Sequence, residues 1–132
     1  MHSLTLTQEG YKKMIAHVSS QLPFEACGLL AGHDSKVELV LEVTNQAQSP
    51  VRFMMDPIEQ LHAFEWIDSN GMELVGIFHS HPTGPEIVSP TDIAEAAYAV
   101  VYVILARVDG VWHARGFWIK DGAYNEVTLK VL

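Results

Sequence analysis

The sequence has a single cysteine, Cys27, which excludes an intramolecular disulfide. A chain without disulfides suits a reducing compartment, and a cytoplasmic location is expected. Apolar residues make up 48% of the chain. None of their unbroken runs approaches the roughly 20 residues that a membrane-spanning helix needs, so no membrane association is expected. Met1-His2-Ser3-Leu4 is not a charged stretch leading into an apolar block, and no signal peptide is read there. Positive charge is scarce: 8 Lys and Arg stand against 16 Asp and Glu, a formal charge of −8. An electrostatic nucleic-acid binder would show a basic face, so that class is disfavoured. Repeats, low-complexity segments and runs of like charge are missing as well. The 132 residues fit one domain, 1–132, with a core large enough to stand without staples.

What is present alternates between short strands and amphipathic helices. Ser3–Leu6 alternates as a strand. Thr7 is an N-cap for a helix to about Gln21, with Tyr11, Met14, Ile15 and Val18 on one buried stripe. Residues 26–31 and Lys36–Val43 form a hairpin around the turn Gly32-His33-Asp34-Ser35, where His33 is read as a solvated loop residue. A polar loop covers 45–50, and 52–55 is extended. Asp56-Pro57-Ile58-Glu59 opens a second helix as N-cap, N1 and N3, closed by Asn70-Gly71, with His62 read as structural or on the surface. An apolar run over 73–79 predicts a strand buried on both faces. A third helix runs from Ser89 to about Tyr98. Strands follow over 100–107, 112–120 and 125–131, with Asp109-Gly110 and Asp121-Gly122 as turns. The expected architecture is α/β (α+β): a curved, mixed, partly antiparallel sheet flanked by helices.

The central apolar run ends in His79-Ser80-His81-Pro82. Strand side chains alternate, so His79 and His81 point the same way and Ser80 the opposite way. Two imidazoles on one face near a strand end can grip one metal ion. Asp92 is far enough along for the chain to turn back and add a carboxylate. Two His and one carboxylate leave a fourth tetrahedral position for water, the layout of a catalytic zinc site. Each piece also has a plain structural reading. Ser89-Pro90-Thr91-Asp92, with Ser at N-cap, Pro at N1 and an acid at N3, is simply a good helix start.

Taken with Glu25 in Pro23-Phe24-Glu25-Ala26-Cys27-Gly28, the set Glu25, His79, His81, Ser89 and Asp92 resembles the signature of the JAMM (MPN-plus) zinc metallopeptidases. The likeness spans nearly all of the chain. Glu25-Ala26-Cys27-Gly28 is similar to the form in the short prokaryotic members. The resemblance implies an MPN-like domain and one Zn2+ per chain, held by His79, His81 and Asp92. It implies that Glu25 is the base outside the metal's own ligands and that Ser89 donates to the oxyanion. It further implies hydrolysis after the C-terminal Gly-Gly tail of a ubiquitin-like or sulfur-carrier protein, with release of a protein or of a single cysteine. Such a tail is expected to lie as an added strand along a sheet edge. No long insertion between Asp92 and the next strand is available as a lid, so polyubiquitin-linkage specificity is not implied. Cys27 is read as a small buried apolar residue, with a redox or metal-touching role open. A homodimer also stays open. Two alternatives belong to other classes: a silent scaffold of the same fold, and a DNA-repair-associated relative with a similar metal motif.

Overall fold

Strand alternation and tight turns build most of this molecule, whose computed structural model describes residues 3–132; Met1 and His2 lie outside them. In chain order the elements are β1 (Ser3–Leu6), α1 (Gln8–Ser20), β2 (Cys27–His33), β3 (Lys36–Val43), α2 (Pro57–Ser69), β4 (Glu73–His81), α3 (Pro90–Glu95), β5 (Val101–Val108), β6 (Val111–Lys120) and β7 (Ala123–Val131). The strands close into a barrel in the order β1-β3-β2-β4-β5-β6-β7. β4 and β5 pair in parallel, as do β1 and β7, while β2 with β3, β2 with β4, β5 with β6 and β6 with β7 are antiparallel. The sheet is mixed and helix-flanked as expected, but it is closed rather than only curved. The seam between β1 and β3 is a single pair, Thr5 with Lys36, so most of the outer edge of β3 carries no strand partner among the described residues.

Three hairpins use two-residue turns. Asp34 and Ser35, Asp109 and Gly110, and Asp121 and Gly122 all have positive φ. That geometry matches the twist of the flanking strands. The first turn is tighter than the four residues read from sequence. Gly32 and His33 stay in the ladder opposite Val37 and Lys36, after a bulge at Ala31. His33 is therefore a strand-end residue, not a loop residue.

β5 shows how the core is divided. Val101, Val103 and Leu105 face one apolar cluster with Met14 and Val18 of α1. Tyr102 and Ile104 face a second with Cys27, Leu29 and Ile77. Phe78 lies across β2, and a Cβ on Gly28 would sit 2.3 Å from its ring, so only glycine fits there. Among the described residues no helix is long and apolar enough to cross a membrane.

Two helices depart from expectation in detail. The Asp56 side chain caps α2 through the N–H groups of Ile58 and Glu59. Glu59 does not complete a capping box there; it accepts from the Thr44 amide at 3.0 Å. α3 stops at Glu95, short of Tyr98. Ala96 turns extended, and the Ala97 and Tyr98 amides donate to the Tyr102 hydroxyl instead of to helix carbonyls.

Candidate metal centre

β4 runs past the expected end of its strand, through Ser80 and His81. Cys27 of β2 and Ile104 of β5 flank His79, and Ala106 lies opposite His81. Ser80, pointing the other way, is locked to the segment before β2. Its Oγ accepts from the Ala26 amide at 2.8 Å, and its own amide donates to the Ala26 carbonyl at 3.0 Å. This clamp holds both histidines in the strand and sets Glu25 beside them.

Asp92 arrives on the first turn of α3. Its amide donates to Ser89 Oγ at 3.0 Å, and the Ser89 amide donates to Asp92 Oδ2 at 2.8 Å. This capping box fixes the carboxylate. Asp92 Oδ1 lies 3.0 Å from His79 Nε2, and Oδ2 lies 3.0 Å from His81 Nε2. The two Nε2 atoms are 3.3 Å apart. Donor atoms around a tetrahedral zinc at about 2.0–2.1 Å would stand about 3.3 Å from each other. His79, His81 and Asp92 are the group among the described residues that could hold a metal ion.

The tautomers suit ligation. His81 Nδ1 lies 2.8 Å from the Pro85 carbonyl, which only accepts, so Nδ1 carries the hydrogen and Nε2 offers a lone pair in the neutral ring. His79 packs flat on Phe53, with ring centroids 4.6 Å apart. Its Nδ1 is buried without a partner. Burial pushes His79 below its ordinary pKa, towards the neutral form that binds metal. Burial pushes His81 down too, but its bonds to Asp92 and Pro85 outweigh this and the net shift is upward. Burial alone would raise Asp92; the two imidazoles beside it hold it well below the usual carboxylate range.

Glu25 is 4% exposed, and its Oε1 has no partner among the described residues. Burial pushes this carboxyl up to about 8, against the pull of His81 and with the push of Asp92 and Glu95. A dication among the three neighbours would draw it back down. Glu25, His81 and Ser89 line one cleft, walled by Pro50, Val51 and Pro85. The structure thus brings together all five residues singled out in the sequence.

His62 and Cys27 take no place among the metal-holding groups. His62 is exposed on α2. Cys27 is fully buried, with Sγ 3.5 Å from the Val43 carbonyl. Burial, Glu25 and Glu59 push its thiol up to about 12, which suppresses the nucleophilic thiolate. Sequence reasoning missed Phe53, Asn45 and the Pro85 carbonyl. An aromatic and a lone Asn flanking a polar loop were the available signals; a backbone carbonyl leaves none.

The family described as prokaryotic homologs of the JAB domain matches residues 7–119. A probable TtuB-protein conjugate cleaving protease of Thermus thermophilus is 41% identical, over 89% of this chain and 75% of its own. A desampylase of Pyrococcus furiosus is 40% identical, over 98% of this chain and 91% of its own. A CysO-cysteine peptidase of Mycobacterium tuberculosis is 30% identical, over 100% and 93%. A solution structure of a Desulfitobacterium hafniense protein superposes with a TM-score of 0.88 at 36% identity, over 98% and 92% of the two chains. A solved structure described as a JAMM metalloprotease-like zinc site shares the fold, with a TM-score of 0.62 at 17% identity, over 98% and 97%.

Proposed function

Since this chain belongs to the prokaryotic JAB-domain family, we propose that it is a zinc-dependent peptidase cutting after the C-terminal Gly-Gly tail of a ubiquitin-like or sulfur-carrier protein. The observation that carries this reading is the convergence of His79, His81 and Asp92 beside the buried, unpartnered carboxyl of Glu25. The silent-scaffold alternative would lack such ligands. The −8 charge favours a protein substrate over nucleic acid.

His79, His81 and Asp92 would hold the zinc. When bound, zinc supplies Lewis acidity, bringing the pKa of a water to about 7 and polarising the scissile carbonyl. Glu25 accepts the proton of the attacking water and hands it to the departing amine. Its burial keeps competing solvent away from that proton. The Ser89 hydroxyl accepts from the Asp92 amide, so its own hydrogen remains free to donate to the developing oxyanion. Capping and catalysis then use opposite sides of one hydroxyl. The tail enters the cleft past Pro50 and Val51, which line it together with Glu25, His81 and Ser89. Glycines suit that narrow approach, having no side chain to meet the walls.

The test is hydrolysis of a carrier bearing a C-terminal extension, read by intact mass. One extension is a single cysteine and another is a longer peptide, which separates the two kinds of product. Cleavage after Gly-Gly and none after an Ala-Ala control is expected. Equal cutting of both, or rapid digestion of unfolded casein, would make this a general peptidase. Elemental analysis should give one zinc per chain; less than about a tenth of an equivalent, not restored by added zinc, would overturn the metal assignment.

A further inference from the structure

Asn45 lies on the loop between β3 and α2, buried and outside the metal group. Its amide makes all the bonds an amide can make. Nδ2 donates to the Glu25 carbonyl at 2.9 Å and to the Arg52 carbonyl at 3.1 Å. Oδ1 accepts from the Ala47 amide at 3.0 Å and from the Met54 amide at 2.9 Å. Three of these bonds tie the 47–54 loop onto itself. The fourth leaves the loop and takes hold of Glu25.

The same loop grips Glu25 from its other side, because the Glu25 amide donates to the Ser49 carbonyl at 2.8 Å. The next residue, Ala26, is fixed to Ser80 between the two histidines. Glu25 is thus suspended between the Asn45 loop and β4. Its Oε1 has no partner among the described residues, so the carboxyl's aim is set by the backbone that carries it. We propose that Asn45 is a positioning residue that fixes Glu25 over the metal group through the Glu25 carbonyl, and couples it through the Arg52 carbonyl to the neighbouring cleft wall at Val51. The inference rests on Glu25 as the proton carrier.

Four proteins test it: wild type, Asn45→Asp, Glu25→Ala and the double variant. Aspartate keeps the acceptor for Ala47 and Met54 but loses the donors to Glu25 and Arg52. The Asn45→Asp enzyme should bind wild-type zinc, show a kcat lower by about 10- to 100-fold, and change little in KM. Its effect should vanish in the Glu25→Ala background, where there is no carboxyl left to aim. An equal loss in both backgrounds would show a merely structural residue and overturn the proposal. Loss of zinc in Asn45→Asp would do the same. Near-wild-type turnover by Glu25→Ala would instead remove the base assignment, and this inference with it. If Asn45→Asp does not accumulate folded, Asn45→Ser, which keeps a single donor in a smaller side chain, runs the same cycle against the same outcomes.

Discussion

Strand β2 carries an imidazole–carboxylate cluster near each end, and the two behave in opposite ways. At Cys27 it borders His79, whose Nε2 meets Asp92 in a buried site. About 20 Å along the strand, His33 meets the Glu38 carboxylate through Nδ1 and the Gly71 carbonyl through Nε2 at 2.6 Å, at the solvent-exposed surface. Both neighbours of His33 only accept, so the ring carries two hydrogens and a positive charge. Its bonds to Gly71 and Glu38 raise its pKa, whereas burial lowers that of His79. The same side chain is a charged staple where water reaches it and a neutral ring able to ligate metal where water does not. Burial, more than the presence of a carboxylate, decides which.

The contrast can be broken most severely at the buried end. Asp92→Asn removes the only negative charge among the three ligands. Bound zinc and peptidase activity should both fall to background, with zinc read by elemental analysis. Glu25→Ala should keep zinc but lose turnover by about 10²–10⁴-fold; retention of more than a few per cent of activity would require another base. Ser89→Ala comes next. Loss of one oxyanion donor should cost about 10²–10³ in kcat, with about 1 kcal/mol of stability lost from the α3 cap. A rate loss below tenfold would leave Ser89 with the cap alone.

The smallest effect belongs to the exposed end and sharpens the comparison. The folded pKa of His33 lies above that of the free imidazole. Its contribution to stability is therefore full below about pH 6.5 and fades as pH rises through the folded value. Urea unfolding at about pH 5.5 should show His33→Gln slightly less stable than wild type, and the gap should close by about pH 8.5. Turnover should not change at either pH. A gap that widens with pH would reverse the charge assigned to the ring.

The ligand set was legible because alternation along one strand and a helix start are local facts. The period of a strand and a helix start that could turn back to it made His79, His81 and Asp92 candidates, and the Glu25 stretch far upstream, with the family resemblance it completes, singled them out. The rest depended on partners far apart in sequence. His81 stays in the strand because Ser80 bonds Ala26, and no local preference marks that. Barrel closure depends on β1 pairing with β7, a register that neither strand announces. α3 ends early because a tyrosine hydroxyl on β5 competes for its amides. Asn45 looked like one more polar loop residue, since its bond to Glu25 reaches back 20 residues.

The β1–β7 pairing also bears on how the chain folds. Ser3 lies beside Thr128, and Leu6 beside Val131. The two strands come from opposite ends of the described residues, and joining such distant segments carries a large loop-closure entropy. β2, β4, β5 and α3, which hold all five site residues or flank them, meet one another over shorter stretches of chain. The closing seam, made of the least local contacts, is where slow folding should concentrate.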